Sequence, residues 1–112
     1  VLDAVAGRAR VVVDSGFSRG TDIVKAIAMG ADAVGIGRLY CYALAAAGEA
    51  GIVRMLELLE AEMQSAMGLL GVTRLAELGS SHLHFGAVPV TMPHVHSAFP
   101  LLNLDDPGYG GR

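Results

Sequence analysis

Apolar positions along this chain form several short continuous runs and one long periodic run. Val1–Val5 predicts the end of a helix, stopped by Gly7. Ala9–Val13 is nearly continuous and largely β-branched, which predicts a strand buried on both faces, as in a parallel sheet. The turn-forming stretch Asp14-Ser15-Gly16-Phe17-Ser18-Arg19-Gly20 follows. Thr21 is then expected to cap a helix from Asp22 to Met29, with Asp22 in its first turn and Gly30 just past its end. Ala33–Ile36 predicts a second short strand, ended by Gly37-Arg38. Strand, loop, helix and strand within residues 9–36 make a βαβ unit, whose strands run parallel with a right-handed crossover.

A further helical stretch spans Leu39–Ala47. Beyond Glu49, the residues Ile52, Leu56, Leu59, Met63, Ala66 and Leu70 recur at spacings of three and four, with Arg54, Glu57 and Glu60 on the other side. That pattern predicts a long amphipathic helix, stopped by Gly71. Thr73 is placed to cap a last short helix through Leu78. From Gly86 onward the pattern changes: Pro89, Pro93, Pro100 and Pro107 lie there, with Gly108, Gly110 and Gly111. The chain therefore divides into a folded part, residues 1–85, and an extended Pro/Gly-rich tail, residues 86–112, that docks loosely or wraps a neighbour.

Composition narrows the classes. The 112 residues are room for one small domain, and 53% hydrophobic against 17% charged is not a disordered composition. Aromatics are only 5%, so burial rests on Ala, Val, Leu, Ile and Met. A net charge of −3, with one lysine (Lys25) and scattered arginines, argues against a nucleic-acid partner, which needs clustered basic residues. The single cysteine, Cys41, forms no internal disulfide and points to a cytoplasmic setting. Its neighbours Tyr40, Tyr42, Ala43 and Leu44 suggest that it is a small buried hydrophobe. The longest apolar run, near Tyr40–Ala47, falls far short of the roughly 18 residues of a membrane span, so no transmembrane segment is expected. No signal-peptide pattern is visible at the N-terminus. Because the chain opens on Val1 and not on Met, the true start is expected elsewhere.

The candidate chemistry lies in two glycine-containing loops, one after each expected strand. Gly16 to Gly20 precedes a helix N-terminus, and Gly35-Ile36-Gly37-Arg38 follows the second strand. Glycine lets a backbone approach an anion closely, and the free amides at a helix start favour phosphate. Arg38 adds a guanidinium that can grip phosphate oxygens in pairs. Barrels of the (β/α)8 type commonly build a phosphate site from the loops after their last two strands. The same glycines would also serve as plain tight βα turns, and spacing alone does not choose between the two. His82-x-His84 and His94-x-His96 lack an ordered Cys/His framework and read as loop or tail histidines, so no metal is expected. Glu57, Glu60 and Glu62 read as a solvated helix face, Asp22 and Lys25 as a local pair, and Met55, Met63 and Met67 as core stripe.

The residues of this region resemble a known family. Asp14-Ser15-Gly16-Phe17-Ser18-Arg19-Gly20-Thr21-Asp22, then Lys25-Ala26-Ile27-Ala28-Met29-Gly30-Ala31, then Val34-Gly35-Ile36-Gly37-Arg38, are similar to the C-terminal motifs of the FMN-dependent α-hydroxy acid dehydrogenases and oxidases. Leu44-Ala45-Ala46-Ala47-Gly48-Glu49-Ala50-Gly51 and the long helix after it match as well, so the resemblance covers residues 1–78. It implies an α/β fold, the C-terminal portion of a (β/α)8 TIM barrel, with this chain supplying strands seven and eight and their helices. It implies FMN as cofactor. Asp14 would hydrogen-bond the ribityl chain, the backbone of Ser15, Gly16, Phe17 and Ser18 would line the phosphate pocket, and Gly37 and Arg38 would bind the phosphate. It further implies oxidation of a small L-2-hydroxy acid to a 2-oxo acid by the full-length enzyme, and a homo-oligomer, commonly a tetramer.

Two departures from the family pattern stand out. Ser18 replaces an arginine that contacts phosphate in many members; its hydroxyl can donate but brings no charge, and Arg19 next door is a candidate to compensate. The family's His-Gly-x-Arg motif, which carries the catalytic base and a substrate-carboxylate arginine, is absent, since none of His82, His84, His94 or His96 is followed three residues later by arginine. Lys25 lies on the helix after the first strand and does not replace the flavin-contacting lysine of an earlier strand. A barrel needs about 250 residues, so this chain reads as a C-terminal fragment, inactive by itself. The alternatives are a non-catalytic phosphate-binding piece that assembles with a partner chain, and part of another phosphate-binding barrel of the inosine-monophosphate dehydrogenase type.

Overall fold

A computed structural model of the chain describes residues 1–86. The expected tail, residues 86–112, with His94 and His96, lies outside the described residues except for Gly86. The elements are α1 (Leu2–Val5), β1 (Val12–Asp14), α2 (Gly20–Ala28), β2 (Ala33–Gly35) and α3 (Arg38–Leu70), followed by 3-10 turns at Leu75–Glu77 and Ser80–His82. The expected βαβ order is therefore present in a small α/β unit. β1 and β2 run parallel, with Val12 opposite Ala33, Val13 opposite Val34 and Asp14 opposite Gly35. Asp32 pins this register where the strands begin: its amide donates to the Val11 carbonyl (2.9 Å) and its carboxylate accepts the Val11 amide (2.7 Å).

Helix α2 starts earlier than its sequence suggests. Arg19, in extended conformation, is the cap position, and Thr21 is not the cap. The reason is Asp22. Its carboxylate reaches back to accept the amides of Ser18 (3.2 Å) and Arg19 (3.0 Å), satisfying donors that a helix start leaves unpaired. That engagement replaces the expected Asp22–Lys25 pair. The end of the helix is as expected, with Gly30 at φ +106 just beyond it.

The core forms where α2 meets α3. Ile23, Met55 and Leu59 are buried, and Phe17, Ile27, Val34, Ile36, Leu39, Ile52 and Met63 pack around them. The buried stripe of α3 is thus Ile52, Met55, Leu59 and Met63. Leu56 is 52% exposed and Leu70 39% exposed, against expectation. Apolar residues lie on more than one side of this helix, Val53 and Leu58 included, so periodicity alone leaves its rotation open; contact with α2 decides it.

Helix α3 breaks where the sequence separates its two helical stretches. Ala47 (φ −153, ψ 26) and Gly48 (φ 59, ψ −141) are non-helical and kink the helix. By length and composition α3 is apolar enough to cross a membrane, with a mean hydropathy of 1.2 over its best window, although the shorter runs do not suggest a span.

Three further expectations are corrected. β1 is exposed, with Val12 at 62% and Val13 at 39%, because it has a single strand neighbour among the described residues. Cys41 is exposed and not buried, whereas Leu39 and Ala43 on either side of it pack against the core. The turn after α3 is 3-10 and not α-helical, and Glu77, not Thr73, supplies its cap: the Glu77 carboxylate accepts the Thr73 amide (2.8 Å) and the Arg74 Nε (2.9 Å).

Candidate functional site

The site grows from the register of the strand pair. Because Asp14 faces Gly35 as the last residue of each strand, both following loops leave from the same end of the sheet. The Asp14 carboxylate lies directly over Gly35, where an ideal Cβ would sit 2.8 Å from Oδ1. The same Oδ1 accepts the Ser15 amide at 2.7 Å. Ser15 and Gly16 both take positive φ (89 and 85), so the chain turns sharply here. Phe17 then packs its ring against the core and anchors the middle of the loop. Ser18 is exposed, with its amide held by Asp22. Across the gap, Gly37 precedes α3 and Arg38 is its first residue, exposed.

An anion would find donors in this arrangement. Among the described residues the amides of Gly16 and Phe17 make no hydrogen bond. The space beside Gly16 and Gly37 is open: a Cβ at either would meet nothing within 4 Å. The start of α3 adds a positive dipole end and the Arg38 guanidinium. Asp14, an acceptor, suits a hydroxyl-bearing neighbour of that anion and not the anion itself. These residues fit a phosphorylated, polyhydroxylated group such as the FMN tail. Just along α3, hydrogen bonding with the Cys41 side chain, and then electrostatic interaction with it, raise the Tyr40 hydroxyl above its ordinary value.

The structure brings Asp14, Ser15, Gly16, Phe17 and Ser18 to the same sheet end as Gly37 and Arg38. It does not bring Arg19 with them. The Arg19 side chain turns to Glu62 on α3, with Nε and Nη2 both 2.8 Å from Oε1. Glu62, read from sequence as solvated surface, also accepts the Gly20 amide at 2.7 Å through Oε2. The available signal was its spacing, three residues after buried Leu59, on the side of α3 that meets α2. His82 accepts the Gly79 amide through Nδ1 in its own turn (3.2 Å), and no cluster of three or more metal-ligating side chains occurs among the described residues. An open concavity of about 580 Å³, lined by Arg8, Arg10 and Asp32 among others, sits where the strands begin, away from the two loops.

Comparison with known proteins gives this geometry its context. Residues 1–85 match the model of the FMN-dependent dehydrogenase family. The chain is 49% identical over 92 residues to L-lactate dehydrogenase of Chromohalobacter salexigens, covering 82% of this chain and 24% of that protein. It is 49% identical over 83 residues to L-lactate dehydrogenase of Pectobacterium atrosepticum, covering 74% and 22%. Among solved structures, a mandelate oxidase variant carrying a monooxide FMN adduct superposes with a TM-score of 0.64 at 47% identity, over 67% of this chain and 24% of that one. A flavocytochrome b2 variant with sulfite bound gives 0.71 at 35% identity, over 84% and 27%. The chain spans about a quarter of the length of the curated relatives it matches. By residues, family match and structural likeness alike, this chain belongs to the FMN-dependent α-hydroxy acid dehydrogenase family.

Proposed function

We propose that this chain forms the FMN-phosphate-binding part of an enzyme that oxidises small L-2-hydroxy acids to 2-oxo acids. The observation that carries the reading is the Asp14–Gly35 register, which sets the Ser15–Ser18 loop beside the Gly37–Arg38 start of α3. The relatives named L-lactate dehydrogenase and the FMN adduct of mandelate oxidase support it. In this reading β1 and β2 are strands seven and eight of a (β/α)8 barrel. Bound FMN supplies the redox chemistry, accepting the hydride equivalent of the hydroxy acid.

The chain's own residues bind and orient. The amides of Gly16 and Phe17 donate to phosphate oxygens, and Ser15 and Ser18 complete the wall, Ser18 with a hydroxyl donor. Gly37 lets the phosphate approach the first amides of α3, and Arg38 neutralises its charge. Asp14 accepts a ribityl hydroxyl. No catalytic residue is assigned to this chain, so alone it turns over no hydroxy acid. The complete enzyme is a cytoplasmic homo-oligomer, a tetramer by family likeness, without a nucleic-acid partner. The exposed face of β1 favours a second reading, in which a separate polypeptide completes the barrel; a native mass near 11.6 kDa with a stoichiometric partner would select it.

Arg38→Ala tests the main reading. Losing a guanidinium–phosphate contact should weaken FMN retention about tenfold or more, read as flavin content after dialysis. Flavin content equal to that of the unaltered protein would overturn the assignment.

A further inference from the structure

We infer that Glu62 is a positioning residue for the phosphate loop and that Arg19 is its strut, not a phosphate ligand. The inference rests on the reading of that loop as the FMN phosphate site. Three donors converge on the Glu62 carboxylate: Arg19 Nε and Nη2 on Oε1, and the Gly20 amide on Oε2. Gly20 itself is buried against α3, where a Cβ would collide with the Leu59 carbonyl oxygen, Glu62 Cβ and the Met63 amide nitrogen. The loop thus has two anchors on α3: the Phe17 ring in the core and the Arg19-Gly20 corner on Glu62.

The arrangement also decides where an anion can sit. Asp22 takes the amides of Ser18 and Arg19, and Glu62 takes that of Gly20. The protein's own carboxylates therefore close the N-terminus of α2 to phosphate and place negative charge there. The donors left over in this loop are the Gly16 and Phe17 amides, whose placement depends on the corner after them being held. Removing Glu62 therefore frees the loop and does not improve the site.

The test is a titration of the flavin-stripped protein with FMN and separately with riboflavin, which lacks the phosphate. Glu62→Ala and Arg19→Ala should each lower FMN affinity about tenfold, the size of a lost charge-assisted contact, with riboflavin affinity changing less than about twofold. The double variant should be no worse than either single one, because both changes release the same corner. Glu62→Gln, which keeps an acceptor for the Gly20 amide, should recover part of the loss and covers the case in which Glu62→Ala fails to fold. FMN affinity unchanged or raised in Glu62→Ala would overturn the inference, since a freed Arg19 would then be a ligand. A parallel fall for FMN and riboflavin would also overturn it, marking a purely structural role. If the unaltered protein shows no preference for FMN over riboflavin, the phosphate-site reading itself fails, and this inference with it.

Discussion

A Cβ at position 35 would lie 2.8 Å from Asp14 Oδ1 and 2.9 Å from its Cγ. Oδ1 and Cγ can swing away but Asp14 Cβ, 3.1 Å from that position, cannot, so Gly35→Ala should cost the fold about 1–3 kcal/mol. It should also drive the carboxylate off the Ser15 amide and lower flavin retention several-fold. Thermal melting and flavin content measured together check this; a large loss of stability with flavin intact would contradict it. Glu77 shows a different residue-level effect. The Thr73 amide first, and then the Arg74 guanidinium, hold its carboxyl below the ordinary carboxylate value. A depressed folded value means that the contribution to stability is present above the unfolded value and is lost as pH falls through the folded one. Protection of the Thr73 and Arg74 amides from exchange, corrected for intrinsic rates, should therefore fall on acidification through that range. Glu77→Gln should abolish the pH dependence.

At the scale of the element, two of the three glycines inside the long helix, Gly51 and Gly68, do different work. Gly51 lies just past the kink, where a Cβ would collide with the Ala43 carbonyl oxygen and come within 3.3 Å of Ala47 Cβ. Gly68 has open space around it, near the helix end closed by Gly71 at φ 74. Gly68→Ala should stabilise the chain by up to about 1 kcal/mol through helix propensity. Gly51→Ala should destabilise it by about 1–3 kcal/mol, because its obstacle is backbone and cannot swing away. Denaturant midpoints of the two variants should move in opposite directions; equal gains would show that the kink is not held by that contact. The break at Ala47–Gly48 was legible beforehand, because a glycine there separates two apolar stretches. The rotation of the second half was not, since apolar residues on several sides fit the same three-four spacing.

On the scale of the whole molecule, the chain presents a two-stranded parallel pair with both outer edges open among the described residues. Val12 and Val13 remain substantially exposed on it, although their sequence suits a doubly covered strand. The chain made alone should therefore self-associate at micromolar concentration, visible by light scattering coupled to size exclusion. A monomer with one sharp thermal transition would contradict this. The strand composition announces burial that this length of chain does not supply.

Local chemistry was enough to read the order of elements, the kink and the two glycine loops, because turn residues, β-branched runs and helical spacing act over a few residues. The corresponding motifs were enough to read the family as well. Three things depended on the fold: the rotation of α3, the exposure of β1 and Cys41, and above all the Arg19–Glu62–Gly20 corner. Arg19 and Glu62 lie 43 positions apart, and no local pattern encodes which carboxylate an arginine will meet at that separation. The packing of α2 on α3 chooses it, with Gly20 allowing the close approach, and so turns Arg19 onto Glu62 and away from the Asp14–Ser18 turn.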